Sequence, residues 1–185
     1  MKLLSYNHAG RPTWGAVVEN GVVELAQRTG HATLADFIGS ADFDRRDDIV
    51  AGLKPVVSLD QVAFMPVIPK PEKIICAVRN YLDHHQEVVA AGMKQELSSE
   101  PPIFLRVWRS QTAHNAPIVL PRVSPSLDWE GELAVIIGKG GRDIAEADAW
   151  AHVAGYSCYN DGSVREWQFH AKQIASGKTF ESTGC

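Results

Sequence analysis

The sequence predicts an α+β protein whose larger part is an antiparallel or mixed β roll, and three observations predict it. Strand-like runs outnumber helix-like ones. Successive runs are separated mostly by loops, which disfavours a doubly wound parallel sheet with its crossover helices. The two parts also differ in texture: residues 1–68 read as a small N-terminal α/β domain and 69–185 as a strand-rich one. The proline-laden "MPVIPKPEK" suits a connector between them.

In the first part "LLSY", "TWGAVV" and "VVELA" read as short strands, and Asn20-Gly21 between the last two is a two-residue hairpin signal. "TLADFI" and "DFDRRDDIVAGL" read as helices, the second solvated on its charged side. In the second part "KIICAV" reads as a buried strand and "LDHHQEVVAAGM" as a helix. "PIFLRVW", "PIVL", "GELAVIIG" and "VAGYSCYN" follow as strands, with "GKGGRD" a turn and "AEADAWAH" a short helix.

Bulk properties exclude several classes. The 185 residues are 45% hydrophobic and 22% charged with net charge −4, so no basic footprint points to nucleic acid. No run nears the roughly eighteen apolar residues of a membrane helix, and the N-terminal apolar run is too short for a signal peptide. Cys76, Cys158 and Cys185 are odd in number and lack CxxC spacing. Reduced thiols and a cytoplasmic location are the expectation.

The stretch "LDWEGELAVIIG", residues 127–138, carries the first chemistry. Read as one strand, it places Asp128, Glu130 and Glu132 on one face and Leu133, Val135 and Ile137 on the other, with the far end apolar on both sides as in a buried strand. Either these carboxylates edge a hairpin in water, or they share one hard divalent cation, whose charge offsets the cost of burying them. Such a site recruits a third carboxylate, and Asp161 at the end of "GYSCYND" is the candidate. Its alternative work as a helix N-cap is better done by Ser163 with Glu166, which are spaced as a capping box. In "NYLDHHQE", His84 and Glu87 are three apart on one helix face. They are either a surface pair or a base held in one tautomer by a carboxylate. His85 lies on another face. Lys178 in "SGKTF" reads by itself as a plain surface lysine, and "GKGGR" lacks the Gly spacing and the Ser/Thr of a phosphate loop.

Taken in order, "KIICAVRNYLDHHQE", "PPIFLR", "PIVLPRVSPSLDWEGELAVIIGKGGRDI", "VAGYSCYNDGSVREWQ" and "GKTF" resemble the fumarylacetoacetate hydrolase family, over most of residues 69–180. The resemblance implies a mixed β-roll catalytic domain, incomplete at its C-terminal end here, and a homodimer; the composition read above adds no membrane or nucleic-acid partner. It implies Glu130, Glu132 and Asp161 as ligands of Mg²⁺ or Mn²⁺, with Ca²⁺ as a further candidate. His84 with Glu87 becomes the base that activates water, and Lys178 a group that holds or polarises substrate. Arg79, Tyr81, Arg106, Arg165 and Gln168 become weaker substrate contacts. The implied activity is metal-dependent hydrolysis of a C–C bond in a 2,4-dioxo acid through a stabilised enolate. Decarboxylation, isomerisation or hydration of a related oxo acid at the same site is the alternative. A β protein that binds a cation only for stability is the alternative of another class. Members often read "FLKP" where this chain has "FLRV", so Arg106 keeps the charge with a different shape.

Overall fold

A computed structural model describes residues 1–92 and 100–185. The first sheet has five antiparallel strands: β1 (Lys2–His8), β2 (Arg11–Val18), β3 (Gly21–Glu24), β4 (Val57–Ser58) and β5 (Ala63–Phe64), in the order β4-β3-β2-β1-β5. Both faces are covered. Trp14, Ala16, Val23 and Leu25 pack on one side against Leu34 and Phe37, while Leu4, Tyr6, Val22, Val57 and Val62 fill the other. That division follows the period of two along each strand. Trp14 and Phe37 stack with ring centroids 4.7 Å apart, and the indole N–H donates to the His31 carbonyl at 2.8 Å.

The helices on this sheet are short: α1 (Ala26–Thr29), α2 (Leu34–Ile38) and α3 (Arg46–Val50), the last preceded by a 3₁₀ turn at Ala41–Arg45. A reciprocal capping box starts α2. Asp36 N–H donates to Thr33 Oγ1 at 3.1 Å, and Thr33 N–H donates to Asp36 Oδ2 at 3.0 Å. The hairpin signal is displaced by one residue. Val18 pairs with Gly21, so Glu19 and Asn20 form the loop, with Glu19 at φ 52°. Gly21 belongs to the strand, where a Cβ would lie 2.6 Å from both the Pro55 side chain and the Val57 carbonyl.

From residue 74 onward the strands form three two-stranded ribbons. β6 (Ile74–Ala77) pairs with β7 (Ile103–Arg106), β8 (Leu127–Asp128) with β11 (Ser163–Val164), and β9 (Gly131–Ile137) with β10 (Val153–Asn160), all antiparallel. Between them lie α4 (Leu82–Ala90) and, after β11, α5 (Arg165–Phe169), with 3₁₀ turns at Trp108–Ser110, Glu146–His152 and Ile174–Gly177. The helix expected over "LDHHQEVVAAGM" ends at Ala90, and its Met93 lies outside the described residues.

Several expectations are corrected here. "KIICAV" and the apolar end of residues 127–138 are not buried on both faces: Ile75, Leu105, Leu133, Val135 and Ile137 are exposed. Their cross-strand neighbours lie on the same open faces, Ile75 opposite Leu105 and Val135 opposite Tyr156. "PIVL" forms no strand, and a backbone bond from Val119 N–H to the Ser182 carbonyl at 2.9 Å ties it to a distant segment. Residues 127–137 are two strands with a break at Trp129 and Glu130. Ser163 does not cap α5. It sits in β11 with its hydroxyl donating to the Asp161 carbonyl at 2.8 Å, and Val164 is the cap residue.

Candidate functional site

The break in the strands is what presents the acids. β8 and β9 are interrupted at Glu130, and the partner strands β10 and β11 at Asp161 and Gly162, so the two interruptions face each other. The backbone remains tied across the gap: Asp161 N–H donates to the Glu130 carbonyl at 2.8 Å, and Glu130 N–H to Asn160 Oδ1 at 2.9 Å. Freed from the ladder, both carboxylates turn toward Lys178. Its ammonium donates to Glu130 Oε2 at 2.6 Å and Asp161 Oδ2 at 2.7 Å, and lies 5.3 Å from the Phe104 ring centroid.

Gly177 delivers that lysine. A Cβ there would stand 2.5 Å from Gln168 N and 2.6 Å from the Val164 carbonyl, so only glycine lets the 3₁₀ turn lie against α5. Lys178 and Asp161 are 2% and 3% exposed. Charges this deep are tolerable only because they are paired and hydrogen-bonded.

Two arginines close the network. Arg165 donates to Asp128 Oδ2 at 2.8 and 3.0 Å, to Glu130 Oε1 at 2.5 Å and to Gln168 Oε1 at 2.7 Å. Arg106 donates to Asp161 Oδ1. It also donates to the Gly162 carbonyl and to Thr183 Oγ1, both at 3.1 Å, and through Nε to Ser110 Oγ at 3.1 Å. Its side chain has no exposed area. Arg106 therefore faces the protein interior with four N–H bonds engaged, where a substrate contact was expected. Gln168 likewise spends its amide oxygen on Arg165.

These charges set the titration of the acids. Burial pushes Glu130 up, but Lys178 and Arg165 outweigh it and hold the carboxyl below its ordinary value. Glu132 is driven the other way, raised by burial and then by the negative charges of Asp161 and Glu130, with the Tyr81 hydroxyl bond and Lys178 opposing. Arg165 is the main cause that holds Asp128 low. Cys76 on β6 borders the cluster. Burial first, then Asp161, pushes its thiol up to about 12, which favours the neutral thiol over the thiolate.

The expected residues thus divide. Glu130, Asp161 and Lys178 meet directly, and Glu132 stands beside them, close enough to feel both acids. Tyr81, at the start of α4, joins Glu132 and accepts from Leu133 N–H at 3.3 Å. His84 Nδ1 lies 3.6 Å from Glu87 Oε2, with the side chains 50% and 79% exposed. Among the described residues that pair makes no hydrogen bond or ion pair with the carboxylates. Arg79, at φ 49°, has no ion-pair partner among the described residues. Ser110, Asn160 and Thr183 were missed by sequence reasoning, because nothing in their local pattern distinguishes them from loop residues.

The donor set suits a hard divalent cation. Two carboxylate oxygens already converge on one positive charge, a third carboxylate is destabilised by its anionic neighbours, and all are oxygen donors of the kind Mg²⁺, Mn²⁺ and Ca²⁺ take. Among the described residues no three His, Cys, Asp or Glu side chains converge closely enough to hold an ion as they stand. Lys178 lies between two of the acids and Glu132 is turned to Tyr81. Also among the described residues, no helix is long and apolar enough to cross a membrane.

Comparison with known proteins places this geometry. Residues 73–185 match the family described as fumarylacetoacetate (FAA) hydrolase, C-terminal. The mitochondrial oxaloacetate tautomerase FAHD2A of Homo sapiens is 36% identical over 154 residues, 81% of this chain and 48% of that relative. Oxaloacetate tautomerase YisK of Bacillus subtilis is 39% identical over 128 residues, 68% of this chain and 42% of its own. Among solved structures, fumarylacetoacetate hydrolase from Exiguobacterium antarcticum superposes with TM-score 0.74 at 28% identity, covering 100% of this chain and 64% of its own. Maleylpyruvate hydrolase from Sphingobium, in complex with manganese(II) and pyruvate, gives 0.73 at 26% identity, covering 100% of this chain and 64% of its own. The chain spans about half the length of the curated relatives it matches. A family match that takes in every candidate site residue, joined to identity above a third over four-fifths of the sequence, fixes the descent: this chain belongs to the fumarylacetoacetate hydrolase family.

Proposed function

We propose that the protein enolises a small 2-oxo acid of the oxaloacetate type, moving a proton between carbon and oxygen with the help of a divalent cation. The observation that carries this is the convergence of Glu130 and Asp161 on one buried positive charge at 2.6 and 2.7 Å. An enolate needs positive charge aimed at its oxygen, and a pre-set cation in a dry site supplies it without reorganisation. Relatives more than a third identical bear the name oxaloacetate tautomerase, which supports this reading over others in the family.

Glu130 and Asp161, with Glu132 beside them, would hold Mg²⁺ or Mn²⁺. Held there, such an ion would supply Lewis-acid stabilisation of developing enolate charge. Lys178 adds a second positive charge on the same side, and Arg79, free of ion pairs among the described residues, is available to a substrate carboxylate. Small-molecule binding of this kind involves neither nucleic acid nor membrane.

Hydrolysis of a C–C bond in an acylpyruvate is the second reading, and the His84–Glu87 pair favours it. A tautomerase does not need an oriented base for water, whereas a hydrolase does. The test follows enolic oxaloacetate and an acylpyruvate separately, with Mn²⁺ present. The first reading expects faster loss of the enol, abolished in Glu130→Gln, and no pyruvate released from the acylpyruvate. Pyruvate release that falls by about 10²–10⁴-fold in His84→Gln would establish the hydrolase instead. Raised thermal stability with Mn²⁺ and neither turnover would leave a cation-stabilised β protein.

A further inference from the structure

One face of the first sheet changes from apolar core to polar cleft along its strands. The pairing of Tyr6 with Thr13, His8 with Arg11 and Val17 with Val22 puts Leu4, Tyr6 and His8 on the same face as Arg11, Thr13 and Val17, and as Val22 and Glu24. A two-residue loop with both members at positive φ, Ala9 at 49° and Gly10 at 78°, sets His8 beside Arg11. Gly15 faces Glu24 across the next ladder, where a Cβ would stand 2.1 Å from the Val23 carbonyl. No side chain opposite therefore covers Glu24. Burial first, then the Glu24 charge, pushes the Tyr6 hydroxyl up to about 12, which agrees with a carboxylate on this face. A cleft of about 160 Å³ lies here, lined by His8, Arg11, Thr13 and Glu24 and by Ala26 and Gln27 of α1. Sites for drug-sized molecules run to about 300–1,000 Å³, so this one suits something smaller. Among the described residues, the side chains of Arg11, Glu24 and Gln27 make no hydrogen bond or ion pair, and the buried Thr13 hydroxyl has no partner. Arg11 stands four residues along β2 from Gly15, about 13 Å of strand, and the two charged side chains do not close that span.

We propose that this cleft binds a small zwitterion, an α-amino acid, with its carboxylate on the Arg11 guanidinium and its ammonium on the Glu24 carboxylate. Opposite charges that share a cleft without pairing suit a molecule that carries both. Arg11 offers a planar fork matched to a carboxylate. Glu24 is half-buried, and a carboxylate partly withdrawn from water holds an ammonium more strongly than one in bulk solvent. Exposed Gln27 supplies a neutral amide. A dicarboxylate of the oxaloacetate type would meet the repulsion of Glu24, and a diamine that of Arg11. None of the residues assigned to the enolising site lines this cleft, so the inference stands apart from the cation reading.

The experiment is titration of the ¹⁵N-labelled full chain with L-alanine, N-acetylalanine and alaninamide, followed by amide resonances. The second probe lacks the ammonium and the third the carboxylate. L-alanine should shift the amides of residues 8–13 and 24–27 saturably, and each of the other probes should bind about tenfold or more weakly. Glu24→Gln and Arg11→Gln should each weaken L-alanine by a similar factor, while N-acetylalanine should bind Glu24→Gln no worse than the wild type. Three probes of equal affinity would mark a cleft indifferent to both charges and overturn the proposal. N-acetylalanine binding best would overturn it too, leaving an anion site on Arg11 alone. No saturable shift with L-alanine, or shifts confined to other segments, would also sink it. Should either variant fail to fold, the ranking of the three probes on the wild type decides by itself.

Discussion

Arg106 and Arg109 are three residues apart and each pairs with an acid, yet burial separates their roles. The Arg106–Asp161 side chains are 0% and 5% exposed, whereas Arg109 and Glu181, 2.6 Å apart, are 61% and 66% exposed. Removing a buried partner strands a charge, so Arg106→Leu should cost about 3–5 kcal/mol, and Arg109→Leu less than about 1 kcal/mol. Urea unfolding of the two variants checks the contrast. Glu130 makes a second prediction. Its folded pKa lies below its unfolded one, because Lys178 and Arg165 outweigh burial. Its stabilisation is therefore complete above the unfolded value of about 4.3 and is lost as pH falls through the folded value. Glu130→Gln should flatten that acid limb in melts followed by circular dichroism. Glu130, Asp161 and Lys178 are legible in the sequence because each sits in a short motif, "WEGE", "YNDGS" or "SGKTF". The work of Arg106 is not, since its partner Thr183 lies 77 positions away.

Among the elements, the first sheet was the most legible. β1, β2 and β3 pair through local turns, and their alternation announces two packed faces. The hairpin loop slipped by one residue because Gly21 answers to a tertiary demand, the approach of Pro55 and Val57, that no local signal shows. The later ribbons were read as buried because an apolar run looks alike whether or not something covers it. The break at Trp129 and Glu130 was invisible for a related reason: one side-chain period continues through it. A test at this scale concerns Tyr6 on β1, which is 0% exposed with a hydroxyl that has no hydrogen-bond partner among the described residues. Burial, then Glu24, raises its pKa to about 12. A raised acid stabilises fully below its unfolded pKa of about 10 and loses that contribution as pH climbs toward the folded value. Tyr6→Phe should raise stability at neutral pH by up to about 1 kcal/mol, since an orphan hydroxyl leaves the core. It should also soften the loss above about pH 10, measured by melts at neutral and alkaline pH.

Across the whole molecule, the two long ribbons turn one face inward and leave the other open. Arg106, Phe104 and Cys76 share the inner side of β6 and β7, while Ile75, Ile103 and Leu105 lie outside. Glu132, Ala134 and Ile136 face inward on β9, while Leu133, Val135 and Ile137 do not. An open apolar face is a surface through which proteins associate. Val135→Glu with Leu105→Glu should lower the apparent mass in light scattering at high protein concentration while leaving the melting temperature within a few degrees of the wild type, because neither residue is packed inside. Residues 182–185 close the inner side, running from the Ser110 carbonyl, which accepts from Thr183 and Gly184 N–H at 3.1 and 2.9 Å, to Asn160, whose carbonyl accepts from Cys185 N–H at 3.1 Å. Gly162 permits this, since a Cβ there would stand 1.9 Å from the Thr183 carbonyl. Clasps between such distant stretches are slow to find one another during folding, because the entropy of closing the intervening loops is lost before any contact compensates it. A refolding chain would therefore hold its hairpins well before Glu130, Asp161 and Lys178 meet, and for that interval would be native in outline without its buried charges paired.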